Sequence, residues 1–157
     1  MPGWATIGER RGCLYVQSWS AMVRGRVANG RMRAVSADVP DPDLGKLVRQ
    51  ALAESKSGVP MPNFRTTDPS APLMAAAGVK TYLGYARTAR EISVDLDDKV
   101  PGFRLIPKLS SAHEGWVPLD EYTLTLDQQA SDDQLGAGVR AALDQAIGWP
   151  GHIPPAP

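Results

Sequence analysis

The chain writes one twelve-residue phrase twice. Asp41-Pro42-Asp43-Leu44-Gly45-Lys46-Leu47-Val48-Arg49-Gln50-Ala51-Leu52 recurs as Asp132-Asp133-Gln134-Leu135-Gly136-Ala137-Gly138-Val139-Arg140-Ala141-Ala142-Leu143, with seven of the twelve positions identical. Leu44, Leu47, Val48, Ala51 and Leu52 in the first copy fall at helical spacing, as do Leu135, Val139, Ala142, Leu143, Ala146 and Ile147 in the second. Each copy therefore predicts an amphipathic helix with one face to bury. Asp41 ahead of Pro42 offers a capping carboxylate before a proline suited to the first turn, and Ser131 with Gln134 forms a capping box. Gly58 and Gly148 are the expected stops, the second reinforced by Pro150. A glycine repeated inside each first turn, Gly45 and Gly136, costs on the order of 1 kcal/mol against alanine. Its repetition asks for a reason, and the expected one is close approach of each helix to a sheet.

Between and before these helices the periodicity changes to two. Leu14 to Trp19 and Arg31 to Ser36 read as strands, with Asn29-Gly30 as a hairpin signal ahead of the second. Val79, Thr81, Leu83 and Tyr85 alternate with polar or small residues, and Ile92, Val94 and Leu96 alternate with Glu91, Ser93, Asp95 and Asp97. Phe103 to Leu109 returns after a turn at 98–102, and Tyr122, Leu124 and Leu126 make a last strand feeding the second helix. Residues 57–78 carry Pro60, Pro62, Pro69 and Pro72, which excludes a regular helix or central strand until Leu73 to Ala77 adds one turn. The order is two strands, helix, long loop, four strands, helix. This predicts an α+β single domain over residues 1–157, a mostly antiparallel curved sheet with the two similar helices packed on one face. Its core spans about residues 12–147, followed by a flexible tail at 148–157.

A chain of 157 residues suffices for one such core. Cys13 is the only cysteine, which excludes an internal disulfide and any multi-cysteine metal site. The first ten residues carry no basic-then-hydrophobic leader and no stretch approaches a membrane span, so a cytoplasmic protein is expected. Formal charge is zero overall, yet residues 1–90 hold thirteen Lys and Arg against six Asp and Glu, and residues 91–157 hold four against eleven. The two halves are oppositely charged by seven, a property that bears on partners and steering.

Candidates for chemistry are few. Gly136-Ala137-Gly138-Val139-Arg140-Ala141 matches the glycine spacing of a dinucleotide turn, but the required strand does not run into it, because Ser131 to Gln134 already caps a helix. His113 and His152 have no partner at metal-ligand spacing, although His113-Glu114 offers a base and its orienting group. No metal, cofactor or catalytic constellation is expected. Arg24, Arg26, Arg31 and Arg33 read either as a sheet edge guarded by charge or as a phosphate-contacting patch of a nucleic-acid-associated module. No aromatics interleave those arginines in the sequence, so no nucleic-acid partner is expected. Glu91, Asp95, Asp97-Asp98 and Asp120-Glu121 read either as a solvated sheet face or as an acidic surface offered to a basic partner.

Thr81-Tyr82-Leu83-Gly84-Tyr85-Ala86-Arg87, Ile92-Ser93-Val94, Phe103-Arg104-Leu105-Ile106-Pro107, Gly115-Trp116-Val117-Pro118-Leu119, Gln134-Leu135-Gly136 and Val139 to Leu143 follow one another in an order that resembles the immunity proteins of bacterial contact-dependent growth-inhibition systems. The upstream Asp43-Leu44-Gly45 to Ala51-Leu52 segment fits the same pattern, so the likeness covers most of residues 12–147. The resemblance implies a cytoplasmic antidote, not an enzyme. Its partner would be the C-terminal toxin domain of a growth-inhibition effector, with a nuclease as the expected toxin. On that reading Glu91, Asp95, Asp97, Asp98, Asp120 and Glu121 lie on or beside the toxin-facing surface, with Trp116 as an aromatic anchor.

Overall fold

The computed structural model describes residues 2–152. Seven antiparallel strands, β1 (Gly3–Arg10), β2 (Cys13–Ala21), β3 (Arg26–Ser36), β4 (Arg90–Leu96), β5 (Phe103–Ser111), β6 (Gly115–Pro118) and β7 (Leu124–Leu126), form one sheet. Their order is β3-β2-β1-β4-β5-β6, with β7 also pairing β5. Helices α1 (Asp41–Ala53) and α4 (Asp132–Gln145) carry the two copies of the repeat. They lie side by side on one face, α1 against β1 and β2 and α4 against β4 and β5. Short helices α2 (Ala71–Ala77) and α3 (Tyr82–Ala86) approach the other face.

The principal core is the interlayer between the sheet and the repeated helices. Ala5, Ile7, Leu14, Val16, Ile92, Val94, Phe103 and Leu105 point inward from the four adjacent strands β2, β1, β4 and β5. They meet Leu44, Val48, Ala51 and Leu52 from α1 and Leu135, Val139, Ala142 and Leu143 from α4. These helical residues are the apolar stripe read from the sequence, and all are buried. Burying one such side chain is worth about 1.5–3 kcal/mol, so the stripe supplies a large share of the fold's driving force.

The repetition has a geometric reason that the helices supply to each other rather than to the sheet. A Cβ on Gly45 would fall far inside van der Waals contact with the carbonyl oxygen of Asp132, and one on Gly136 would do the same to the carbonyl oxygen of Asp41. Arg49 Nε donates to Asp132 Oδ1 at 2.6 Å and Arg140 Nε donates to Asp41 Oδ1 at 2.6 Å. Arg49 also donates to the carbonyl of Ala130, and Arg140 to those of Ala37 and Val39. Every identical position is thereby accounted for: Asp and Arg of each copy clasp the other copy, Gly admits the other backbone, and Leu, Val, Ala and Leu enter the core. The expected approach of these glycines to a sheet is corrected to a reciprocal helix–helix contact.

Further differences are local. Asp41 begins α1 but caps nothing, because Pro40 is the cap residue; the Asp41 carboxylate is engaged by Arg140. Ser131 and Gln134 do form the capping box. Both helices end ahead of the expected glycines, at Ala53 and Gln145. Asn29-Gly30 makes no hairpin: β3 runs through it, and the turn from β2 closes where Met22 N–H donates to the Gly25 carbonyl. Asn29 instead sits at a bulge in the register, its amide donating to Ser18 Oγ and Ser20 Oγ while Gly30 takes φ +84°. Residues 79–85 form no strand, because Thr81 Oγ1 accepts from Gly84 N–H and opens α3. Tyr122 lies in a 3-10 turn, Asp120–Tyr122, so the last strand shortens to β7. The tail is held as far as Gly151, whose N–H donates to the Ser110 carbonyl; beyond His152 it lies outside the described residues.

Candidate functional site

The outer face of the sheet, opposite α1 and α4, begins as a register. Trp4 stands between Trp19 and Asp95, and Asp95 stands opposite Arg104, so β2, β1, β4 and β5 present Trp-Trp-Asp-Arg in one row. Trp19 Nε1 donates to Thr6 Oγ1, and the Arg26 guanidinium lies 4.9 Å from the Trp4 ring centroid. Arg26 reaches Asp95 at 3.3 Å and Arg104 reaches its other oxygen at 3.7 Å. Two rows further along, Lys108 Nζ donates to Glu91 Oε2 at 2.8 Å.

Glu91 and Asp95 are therefore not a solvated acidic face. They are 3% and 7% exposed, respectively. Each is paired with cations from β3 or β5, which the alternation in β4 alone could not show. The reason is steric cover and charge: a carboxylate this withdrawn from water must find a cation or neutralise.

Beside Glu91 the face is aromatic. Tyr85 packs under α3 edge-on to Tyr15, with its hydroxyl where a Cβ on Gly8 would stand. Gly8 is thus a missing side chain that lets a ring lie on the sheet. Burial, and then the Glu91 carboxylate, push the Tyr85 phenol well above its ordinary value, and the same two causes raise Tyr82. Tyr82 Oη accepts from Trp116 Nε1 at 2.9 Å, which fixes the half-buried Trp116 ring at the margin of this cluster.

The remaining expected residues lie on the β5–β7 side. Asp97 and Asp98 occupy the turn from β4 to β5, where Asp97 Oδ1 accepts from Lys99 N–H at 2.8 Å. Asp120 and Glu121 are exposed in the 3-10 turn between β6 and β7. At the opposite end of the sheet, β3 is the edge strand and carries Arg26, Arg31 and Arg33, with Arg24 in the preceding turn. The charge imbalance along the chain thus becomes an imbalance across the sheet, basic at the β3 edge and acidic at the β7 edge. Five strand spacings separate them, about 24 Å.

The other candidates resolve structurally. Gly136 and Gly138 are interior to α4, one against α1 and the other against Leu126 and Leu105. His113 and Glu114 are exposed in the turn before β6, their backbone N–H groups donating to Ser111 Oγ. Among the described residues no group of three or more His, Cys, Asp or Glu could hold a metal ion. No helix among them is long and apolar enough to cross a membrane.

The sequence model of the family described as CdiI, CDI immunity protein, matches residues 3–146. Two solved structures are similar throughout. One is described as a protein of unknown function, NMB0488 from Neisseria meningitidis, at 22% identity and TM-score 0.76, covering 93% of this chain and 96% of that one. The other is described as a CdiA-CT/CdiI toxin and immunity complex from Yersinia pseudotuberculosis, at 20% identity and TM-score 0.77, covering 93% of this chain and 98% of that one. No curated protein matches by sequence.

Proposed function

Because this chain belongs to the family of CDI immunity proteins, we propose that it neutralises its cognate growth-inhibition toxin by binding that toxin's C-terminal domain and covering its working surface. The observation that carries this reading is the family match across residues 3–146, which spans the sheet, both clasped helices and the outer-face cluster. The Yersinia pseudotuberculosis neighbour, described as a toxin and immunity complex, supports the same mode of action. The antidote works in the bacterial cytoplasm, where the toxin domain would act, and performs no chemistry of its own.

The toxin-facing surface is the acidic edge, with Asp97 and Asp98 on one turn, Asp120 and Glu121 on another, and Trp116 beside them as the aromatic anchor. Glu91 and Asp95 are held within the sheet face, by Lys108 and by Arg26 and Arg104 respectively, and are not themselves offered to the partner. An acidic edge fits a toxin whose substrate cleft is basic, as a nuclease cleft is, and opposite charge accelerates encounter as well as specifying it.

The test is direct. The toxin domain encoded beside this gene and the purified chain should form a stoichiometric complex that abolishes toxin activity. Failure of the two to associate would end the reading. Replacing Asp97 and Asp98, or Asp120 and Glu121, by Lys should slow association about tenfold at low salt and flatten its salt dependence. Unchanged association kinetics would remove those residues from the interface.

A further inference from the structure

Two cavities meet around the edge of β3, the first walled in part by Tyr82, which also accepts from Trp116. The first, about 340 Å³, has Trp19, Phe64 and Tyr82 among its walls, together with Arg26. The second, about 1030 Å³, runs past the C-terminal end of α1 and carries Arg31, Arg33 and Lys56. Val27, Ala28, Asp68 and Pro69 line both, so the two are parts of one groove between β3 and the proline-rich segment that follows α1.

The halves differ in chemistry. In the first, aromatic surface faces open space: the Phe64 side chain has no place in either core cluster and is 57% exposed. In the second, cations outnumber their partners. Along it Arg31, Arg33 and Lys56 face Glu54 and Asp68, a surplus of one positive charge, while Arg26 in the first cavity is paired with Asp95. Arg31 meets Glu54 only at 3.8 Å with its side chain 73% exposed, and Arg33, whose Nη2 pairs with Glu54 Oε1 at 2.6 Å, keeps Nη1 without an acceptor.

A basic track continuous with exposed aromatic rings is the combination that holds a single nucleic-acid strand, with phosphates on the cations and unstacked bases on the rings. We propose that this groove binds single-stranded nucleic acid without sequence preference, seating a base against Phe64, Trp19 and Tyr82 and running the backbone along Arg31, Arg33 and Lys56. The small aromatic compartment admits a splayed base and excludes a duplex. An acidic polypeptide would satisfy the cations and leave the rings uncovered. The arginines looked unaccompanied in sequence because their aromatic partners arrive from β2, from the loop after α1 and from α3.

The test uses the whole chain alone, so it is independent of any toxin. A fluorescein-labelled single-stranded RNA of roughly 12 nucleotides should bind in the micromolar range at about 50 mM salt and weaken steeply as salt rises. Phe64→Ala, a change at an exposed side chain, should weaken binding at least about fivefold by loss of stacking. Arg31→Glu with Lys56→Glu should weaken it more than about tenfold and reduce the salt slope. The same RNA annealed to its complement should bind more weakly than the single strand. Absence of binding below about 100 µM, an affinity unaffected by Phe64→Ala, or equal competition by a poly-glutamate peptide would overturn the proposal, the last by assigning the groove to acidic polypeptides.

Discussion

At the scale of single residues, the most consequential positions are those where a side chain is absent or withheld from water. Gly8 is one: the Tyr85 hydroxyl occupies the space of its missing Cβ. Gly8→Ala should therefore destabilise the fold by about 1–3 kcal/mol through overpacking. Tyr85→Phe removes the clashing oxygen, so the double variant should recover part of the loss, and urea titrations of all four proteins in the cycle would measure the coupling. Tyr85 also predicts a pH dependence. Its folded pKa is raised above the ordinary value of 10.0, first by burial and then by Glu91. Above pH 10 the unfolded chain releases that proton while the folded chain keeps it, so the contribution is intact below pH 10 and is lost as pH rises. Stability should fall by about 1.4 kcal/mol per pH unit from this group, and Tyr85→Phe should remove that share of the slope.

At the scale of elements, the paired helices make one device. Each copy of the repeat presents a carboxylate at its start, a glycine one turn in and an arginine one turn further, and each of the three meets the other helix. The clasping ion pairs are about one-third exposed, so their Coulombic share is small. The larger effect lies with the carbonyls of Ala37, Val39 and Ala130, which Arg140 and Arg49 satisfy beyond the helix ends. Arg140→Ala should cost about 1–3 kcal/mol and Arg140→Lys nearly as much, since an ammonium cannot span a carboxylate and two carbonyls in that planar fork. Gly45→Ala and Gly136→Ala should each be destabilising despite the better helix propensity of alanine, because the obstacle is backbone of the other helix and cannot rotate away. Chemical denaturation of the four variants would decide both points.

For the whole molecule, what matters is that sheet order sorts charge. The basic first half of the chain supplies the edge strand β3 and the acidic second half supplies the strands of the opposite edge, so positive and negative edges stand five strand spacings apart, about 24 Å along the sheet, while the molecule remains neutral in sum. Edge strands invite pairing with other chains, and the arginines of β3 oppose it. Arg31→Val with Arg33→Val should raise the rate of aggregation at fixed concentration, read by light scattering, with little loss of secondary structure before aggregates form.

The amphipathic stripes, the capping box of α4, the alternation in β4 and the antiparallel α+β class could be read from the sequence, because each depends on spacing within a single element. β1 could not. It is central and buried on both faces, so Gly3 to Arg10 shows no alternation to detect. The segment 79–85 alternated by coincidence, while Thr81 as a cap and Tyr82 and Tyr85 three residues apart were the weaker helical signal that folding obeyed. The reason for Gly45 and Gly136, the withdrawal of Glu91 and Asp95 into ion pairs, and the meeting of Phe64 with the β3 arginines were decided only by tertiary structure. In each, the partner stands on another element, and a sequence states which groups need partners but not which partners packing will bring.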